Sequence, residues 1–319
     1  MVAWGLPSST AQRVGRFRLV QELGRGSTGT VFLATQADAG GREWALKVLD
    51  QALASRAGFQ ERLERDVRAV SALDHPHILP VHEYGTTGEV AYLVTPVVRG
   101  GTLGNRLRSG PLPTKVAWRV LLQVGEALHR AHDAGVVHGD VKPGNVLFDV
   151  YGRVLVSDFG LARTHFGFAR GTPGYMAPEQ ARGDDADPRA DVYALAVLAF
   201  EMLTGTRLFA DEGAAELLRA TVEASLPAAR DRCPGVPPGF DAALLRGLAR
   251  SPNRRYGSTM ELLWALAPVL EGPRRRRLPP TPNPRPRRED RAFVPSVLTA
   301  EASREAGDEE RLEEVEPSA

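Results

Sequence analysis

Asp140, Lys142 and Asn145 are three polar side chains that lie close together in the sequence, between two apolar runs. They share no obvious structural purpose, so their spacing predicts a functional site; the alternative is a polar loop that uses them as turn residues. Asp158 lies 13 residues after Asn145 and ends a β-type run, where its carboxylate would be a hard oxygen ligand suited to Mg²⁺. These two segments are therefore the first candidates for an active site.

A glycine-rich run near the N-terminus has the pattern G-x-G-x-x-G. Alone this pattern is weak evidence, because it also occurs in hairpin loops, and a dinucleotide-binding site would need a helix after it. Strand-forming residues follow at 30–33 instead, which favours a strand–turn–strand flap whose backbone N–H groups can approach phosphate oxygens. The candidate phosphate-binding residues are Gly24, Arg25, Gly26, Ser27, Thr28 and Gly29.

Lys47 lies 18 residues after Gly29, between apolar residues of a predicted strand. Because side chains alternate along a strand, Lys47 should point away from Leu46 and Val48. The functional interpretation predicts a cation held in a cleft against the phosphates of a nucleotide. The alternative is an exposed strand lysine.

Three further features complete the pattern: the run GTPGYMAPE at 171–179, Asp191 in a strongly apolar predicted helix, and Arg255 in the run SPNRR. Together with the segments above, they resemble the signature set of the protein kinase family, in the family's order and over roughly residues 15–271. The resemblance implies that Asp191 braces the catalytic loop and that Arg255 pairs with Glu179.

The resemblance also implies a role for each candidate residue. Asp140 would accept a proton from the substrate hydroxyl or orient that hydroxyl, and Lys142 would offset charge on the transferring γ-phosphoryl group. Asn145 and Asp158 would hold Mg²⁺, and Lys47 would grip the α- and β-phosphates of ATP. Such a reaction needs in-line positioning and positive charge around spreading negative charge more than it needs covalent help.

Further positions follow from the same resemblance. Val31, Ala45 and Leu147 would sandwich the adenine. Thr95 would be the gatekeeper that closes the pocket behind it, and Pro96 to Val98 would form the hinge. The lysine two residues after Asp140 and the Gly-Thr-Pro-x-Tyr run resemble serine/threonine rather than tyrosine kinases, and Thr172 would be a structural part of the substrate site.

The implied function is therefore that of a serine/threonine protein kinase, which uses ATP and Mg²⁺, acts on protein substrates and can phosphorylate itself. The alternative is a pseudokinase that binds nucleotide or partners without turnover. A small-molecule phosphotransferase of kinase-like fold is disfavoured by the 171–179 run and by Asp191, which resemble protein kinases specifically.

Two positions depart from the family's pattern. The helix partner of Lys47 is normally glutamate, but here that position is Asp66, whose side chain is shorter by one C–C bond, about 1.5 Å. We expect a closer helix or a looser ion pair, and the alternative is a solvated helix acid. Gly139 stands where the family usually has the arginine that binds a phosphorylated activation loop, so we expect activity that does not depend on loop phosphorylation.

The elements that must position these residues are of two kinds. Runs rich in β-branched and aromatic residues predict strands at 17–23, 30–35, 43–49, 77–84 and 90–97, with a helix at 58–73. From residue 113 onwards the period is helical, which predicts helices at 116–134, 188–203, 214–224, 241–250 and 259–270, with short β runs at 136–137, 146–149 and 153–157. The predicted fold class is α+β: a bilobal, protein-kinase-like fold with a small β-rich N-terminal lobe that has one main helix, and a larger helical C-terminal lobe.

The whole chain of 319 residues supports this organisation. We expect an N-terminal extension at 1–14, a kinase domain at 15–271 with lobes at about 15–95 and 99–271, and a disordered tail at 272–319 that is first rich in arginine and proline and then acidic. The net charge of +1 gives no reason to expect a nucleic-acid partner, and a single cysteine excludes an internal disulfide framework. With no apolar run long enough to span a bilayer, we expect a cytoplasmic protein. The sequence does not predict the oligomeric state.

Overall fold

The computed structural model describes residues 13–26, 28–36, 40–51, 58–88, 90–159, 171–209 and 213–271. Within these residues an antiparallel sheet of six strands forms the N-terminal lobe, in the order β1-β2-β3-β4-β6-β5. The strands are β1 (Arg13–Val14), β2 (Phe17–Gly26), β3 (Gly29–Gln36), β4 (Arg42–Leu49), β5 (Glu83–Thr87) and β6 (Val90–Thr95). The predictions of strands at 17–23, 30–35, 43–49 and 90–97 are confirmed.

One face of this sheet gathers several of the candidate nucleotide-binding residues. Val31 lies opposite Lys47 in the β3–β4 pair, and Ala45 lies opposite Thr95 in the β4–β6 pair. Opposite residues of an antiparallel pair share a face, and so do residues two apart on one strand. The four residues therefore lie on one face, whereas Leu46 is fully buried on the other.

A helix of the N-terminal lobe, α1 (Phe59–Ser71), confirms the helix predicted at 58–73. Its residue Val67 is buried in a cluster with Leu49 and Tyr84 of the sheet. Asp66 precedes Val67 and is half-buried. The packing of α1 on the sheet therefore brings Asp66 into the same lobe as Lys47.

The C-terminal lobe is helical and surrounds one buried helix. Its helices in the described ranges are α2 (Leu103–Leu107), α3 (Thr114–Asp133), α4 (Pro178–Arg182), α5 (Pro188–Thr204), α6 (Ala214–Glu223), α7 (Ala229–Arg232), α8 (Phe240–Gly247) and α9 (Thr259–Leu270). α5 is apolar on all sides, and α3, α8 and α9 pack around it. Asp187 caps its start by accepting the backbone N–H of Arg189 at 2.8 Å, and Gly205 ends it with a φ of 69°. No helix in the described part of the chain is long and apolar enough to cross a membrane.

The predicted long helices are confirmed, whereas α2, α4 and α7 were not predicted. Each of these three has at most five residues, too few to show a helical period. A hairpin of β7 (Val146–Phe148) and β8 (Val154–Val156) confirms two of the short β runs. The predicted strand at 136–137 is wrong, because Val136 N donates to Ala131 O at 2.9 Å and so continues the turn that closes α3.

The strand predicted at 77–84 is wrong for residues 77–82; only its last two residues belong to a strand, β5, which begins at Glu83. Ile78 forms only a single parallel bridge with Val156 of β8, and backbone hydrogen bonds of 2.8 Å flank the bridge on both sides. Pro80 has no N–H to donate, so the pairing cannot continue along this segment. The segment therefore connects the two lobes by pairing briefly with the hairpin of the C-terminal lobe.

A buried ion pair holds α4 against the helical core. Arg255 donates from Nη1 and Nη2 to the two carboxylate oxygens of Glu179, each at 2.6 Å, and its side chain is fully buried. Arg255 also donates to the carbonyl oxygens of Ala249 at 2.8 Å and Arg189 at 2.9 Å. This bidentate contact confirms the predicted pairing of Arg255 with Glu179.

Glu179→Gln should lower the free energy of unfolding by about 3–5 kcal/mol, because it leaves the Arg255 charge buried without its counter-charge. Asp184→Asn is the matched control, since Asp184 pairs with Arg182 at 3.0 Å with both side chains about half exposed, and it should cost less than about 1 kcal/mol. Urea denaturation measures both values. Equal losses in the two variants would contradict a structural role for the buried pair.

Gly29→Ala should also destabilise the protein. Gly29 has a φ of +145°, and a Cβ there would lie 2.0 Å from Val48 O, so we expect a loss of about 1–3 kcal/mol and a lower melting temperature. Gly26 lies opposite Gly29 in the same turn, and a Cβ at Gly26 would meet no atom within 4 Å. Gly26→Ala should therefore leave the melting temperature nearly unchanged, and an equal drop would refute the steric argument.

Candidate active site

Lys47 and Asp158 form an ion pair between the two lobes. Lys47 Nζ lies 2.7 Å from Asp158 Oδ2, with 11% and 28% of the two side chains exposed. Burial on its own raises the pKa of Asp158, but the charge and hydrogen bond of Lys47, together with the charges of His138 and Lys142, lower the pKa overall. The carboxylate is therefore kept ionised in the cleft.

Asp158 also has an unusual backbone. Its φ of 64° lies in the left-handed region, and it is the one non-glycine residue with a positive φ in the described ranges. Such a conformation persists only where the surrounding structure fixes it, and it is common at active sites. The preceding Ser157 supplies one such restraint, because its N–H donates to Asn145 O at 2.9 Å and its hydroxyl to the same oxygen at 3.2 Å.

Asp140 is the centre of a second charged cluster. Lys142 Nζ lies 2.6 Å from Asp140 Oδ2, and the Thr172 hydroxyl donates to Asp140 Oδ1 at 2.8 Å. Lys142 Nζ also donates to Thr172 Oγ1 at 2.6 Å. Each of the three side chains therefore contacts the other two. Thr172 hydrogen-bonds the carboxylate that, by the resemblance to protein kinases, would receive the substrate hydroxyl.

Asn145 joins this cluster to Asp158. Its Nδ2 donates to Asp140 O at 2.8 Å and lies 3.3 Å from Asp140 Oδ2. Because the side-chain amide nitrogen of Asn145 is used in these hydrogen bonds, its side-chain carbonyl oxygen is the atom that can bind a cation. Asn145 and Asp158 thus offer hard oxygen donors, the ligand type that a divalent cation such as Mg²⁺ prefers.

Asp191 on α5 fixes the position of the catalytic loop, which is the segment 138–145. Its carboxylate accepts the backbone N–H groups of His138 at 2.9 Å and Gly139 at 2.8 Å, and His132 Nε2 donates to it at 2.7 Å. Burial raises the pKa of Asp191, but the hydrogen bond and charge of His132 lead the contributions that lower it overall. The predicted bracing role of Asp191 is confirmed.

His138 links the catalytic loop to the segment that carries Asp158. Its Nε2 donates to Ser157 O at 2.9 Å, its Nδ1 accepts the N–H of Asp140 at 3.2 Å, and its ring centroid lies 4.7 Å from that of Phe159. A neutral imidazole protonated at Nε2 satisfies both hydrogen bonds. Among the described residues, no group of three or more His, Cys, Asp or Glu side chains could hold a metal ion.

The remaining candidate residues lie on the segment between the lobes, on β7 and where β2 meets β3. Thr95 to Val98 connect the lobes and are half-buried, and the chain after them pairs with β7, where Gly100 N donates to Phe148 O at 2.8 Å. This pairing holds Leu147 of β7 close to the hinge, on the side of the C-terminal lobe. Gly24, Arg25 and Gly26 end β2, and Gly29 begins β3 directly after Thr28, whereas Ser27 lies outside the described residues.

The structure gives Lys47 an ion pair with Asp158. Asp66 on α1 is half-buried and makes an interaction as well. Its role as a partner of Lys47 stays a prediction.

Sequence reasoning missed Gln180. Its Nε2 donates to Gly139 O at 2.8 Å and its Oε1 accepts the N–H of Ala177 at 3.0 Å, so it fastens the start of α4 to the catalytic loop. A glutamine beside Glu179 has no chemical signature in the sequence. Only the fold shows that it contacts the loop.

Comparisons with known proteins agree with this geometry. The protein kinase domain family matches residues 17–259. The chain is 38% identical to the serine/threonine-protein kinase PknA of Mycobacterium tuberculosis, over 90% of this chain and 68% of that protein. It is 35% identical to PknH of the same species, over 83% and 44%, and 34% identical to PrkC of Bacillus subtilis, over 78% and 39%. It therefore spans less than half of the last two relatives.

Solved structures give the same result. The kinase domain of Mycobacterium tuberculosis PknI is similar with a TM-score of 0.68 and 29% identity, over 81% of this chain and 98% of that one. The predicted bilobal fold and the predicted kinase class are thereby confirmed. The chain belongs to the protein kinase family, and its similar relatives are bacterial serine/threonine kinases.

Proposed function

We propose that the chain transfers the γ-phosphoryl group of ATP to serine or threonine hydroxyls of protein substrates, with Mg²⁺ as the cation. The main support is the convergence of Lys47, Asp140, Asn145 and Asp158 on one cleft. Lys47 pairs with Asp158 at 2.7 Å, and Asn145 bonds Asp140 at 2.8 Å. The 2.9 Å hydrogen bond from Ser157 to Asn145 joins the two pairs.

Asp140 would orient the acceptor hydroxyl. A hydroxyl donor, that of Thr172, already fits against Asp140 Oδ1 at 2.8 Å, so a substrate serine or threonine brings the same chemistry to this carboxylate. Lys142 Nζ, 2.6 Å from Oδ2, would offset negative charge as it spreads over the transferring group. The contribution of both residues is positioning and electrostatics, as phosphoryl transfer requires.

The nucleotide would lie under the face of the sheet shared by Val31, Ala45, Lys47 and Thr95, with Leu147 on the opposite side of the adenine. Backbone N–H groups of 24–29 would approach the phosphates, and Lys47 would pair with the α- and β-phosphates. Mg²⁺ held by Asn145 and Asp158 would neutralise phosphate charge there. The proposed catalytic unit is residues 15–271.

Asp140→Asn should lower the rate of phosphate transfer about 10²–10⁴-fold, because it removes the group that orients the acceptor. Purified protein is incubated with labelled ATP and Mg²⁺ and a Ser/Thr protein substrate, and label on serine and threonine is measured. Asp133→Asn is the matched control, since Asp133 is exposed on α3 and should keep full activity. ATP binding without transfer by the unaltered chain would instead support a pseudokinase.

Thr164 carries the only side-chain hydroxyl between Asp158 and Gly171 in the sequence. Thr164→Ala should keep activity within about 2-fold of the unaltered chain, because Gly139 has no side chain that could bind a phosphate on the loop. Thr164 lies outside the described residues. Thr172→Ala gives the contrast: it removes a hydroxyl that bonds both Asp140 and Lys142 and should cost at least about 10-fold in rate. Loss of activity in Thr164→Ala that an acidic residue at 164 restores would refute the proposed independence from loop phosphorylation.

A further inference from the structure

Gln180 is a buried side chain that the proposed mechanism does not use. It lies on the short helix α4, only 2% of it is exposed, and its side-chain amide contacts the backbone of the catalytic loop. Nε2 donates to Gly139 O at 2.8 Å, and Oε1 accepts the N–H of Ala177 at 3.0 Å. An amide offers a donor and an acceptor at once, so this single side chain serves both contacts.

The carbonyl that Gln180 holds belongs to the peptide group between Gly139 and Asp140. The other polar group of this peptide, the N–H of Asp140, donates to His138 Nδ1 at 3.2 Å. Gly139 has a φ of 75° and no side chain, and the wide range of backbone angles open to glycine lets such a peptide group rotate unless its neighbours hold it. Gln180 therefore supplies the shorter of the two hydrogen bonds that fix this peptide group.

Rotation of this peptide group would move the acceptor-orienting aspartate. The peptide leads directly into the Cα of Asp140, whose Oδ1 lies 2.8 Å from the Thr172 hydroxyl and whose Oδ2 lies 2.6 Å from Lys142 Nζ. Misplacement of a reacting group by about 1 Å can cost about 10²-fold in rate. The position of the Asp140 carboxylate therefore depends on how the Gly139 carbonyl is held.

α4 is itself fixed, which makes Gln180 a firm support. The neighbouring Glu179 accepts hydrogen bonds from Nη1 and Nη2 of the buried Arg255, each at 2.6 Å. Earlier in the same segment, Gly171 lies so close to the catalytic loop that a Cβ there would be 3.0 Å from Gly139 O. The Gly139 carbonyl is thus enclosed by two parts of one segment that is tied to the helical core.

We propose that Gln180 is a positioning residue for phosphoryl transfer: by holding the Gly139 carbonyl, it sets the peptide group that places the Asp140 carboxylate for the acceptor hydroxyl. The inference rests on the proposed kinase function. A purely structural role as a cap of α4 makes a different prediction. A glutamate would cap α4 as well as a glutamine does, because its carboxylate also accepts the N–H of Ala177, but it has no donor for Gly139.

The test compares Gln180→Glu and Gln180→Met in the full chain. Gln180→Glu keeps the acceptor for Ala177 and loses the donor for Gly139, whereas Gln180→Met has nearly the same length and loses both. Each variant should lower kcat for a serine/threonine peptide substrate about 10-fold at pH 8, the size expected for one lost hydrogen bond. Affinity for a non-hydrolysable ATP analogue with Mg²⁺ should stay within about 2-fold, because the bond to Gly139 holds the acceptor side of the cleft.

A change of pH shows whether the missing donor is the cause. Burial should raise the pKa of the new carboxyl in Gln180→Glu above the ordinary value of about 4.3, and its protonated form has an O–H that can donate to Gly139 O. The ratio of its kcat to that of the unaltered chain should therefore rise from about 0.1 toward 1 between pH 8 and pH 6, whereas the ratio for Gln180→Met should stay constant. A ratio is used because the charged and titratable groups around Gly139 and α4 are the same in both chains. These groups are His138, Asp140, Lys142, Glu179, Asp191 and Arg255.

Gln123→Glu is the matched control, because it makes the same exchange at another half-buried glutamine. Gln123 Oε1 accepts the N–H of Val154 at 2.8 Å, and a carboxylate keeps that bond. Its kcat should stay within about 2-fold of the unaltered chain at both pH values.

The outcomes distinguish this role from the proposed function. If the unaltered chain phosphorylates no protein or peptide, the proposed function fails and the inference fails with it. If the unaltered chain is active and Gln180→Glu melts cooperatively yet keeps its kcat at pH 8, the inference alone is overturned. A loss of kcat that is the same at pH 6 and pH 8, or that comes with an equal loss of nucleotide affinity, would overturn it too. Loss of cooperative melting in both Gln180 variants would also overturn it, because Gln180 would then be needed for folding rather than for placing Asp140.

Discussion

A buried carboxylate without partners is too costly to persist, and this constraint on Asp191 organises the site. Asp191 lies in α5, which is apolar on all sides, so its partners must come from elsewhere in the fold. They are the backbone N–H groups of His138 and Gly139 and the ring of His132. The catalytic loop therefore has a fixed position because α5 must satisfy its one buried acid. Asp140, Lys142 and Asn145 gain their geometry from that anchoring.

The charges of the site are balanced in pairs. Lys47 pairs with Asp158, and Lys142 pairs with Asp140, each within 2.7 Å. A nucleotide that binds here would compete for both lysines, and a cation held by Asp158 and Asn145 would replace the positive charge that the carboxylates lose. Phosphate binding and cation binding would therefore be coupled through these charged pairs. Asp158 makes its ion pair with Lys47 from a left-handed backbone.

Much of this could be predicted from the sequence, because each main feature leaves a local pattern. The order of motifs gave the family, the apolar composition of 188–203 gave a buried helix, and the resemblance gave the pairing of Arg255 with Glu179. Other features depend on long-range geometry. Pro80 ended a strand that the apolar run predicts, Gln180 contacts Gly139 across 41 residues of sequence, and Lys47 pairs with Asp158 across 111 residues. No local pattern records contacts of this range.

The contacts at Gly139 indicate where regulation could act. Gly139 has no side chain, and its N–H and its carbonyl are taken by Asp191 and Gln180. The catalytic loop is therefore held by buried protein contacts on both sides, and a phosphate on the neighbouring loop has no guanidinium here to bind. The Lys47–Asp158 pair between the lobes is the less buried contact, with 11% and 28% of the two side chains exposed. Because a signal can shift only a contact that has an alternative arrangement, control of such a site would act on the relative position of the lobes.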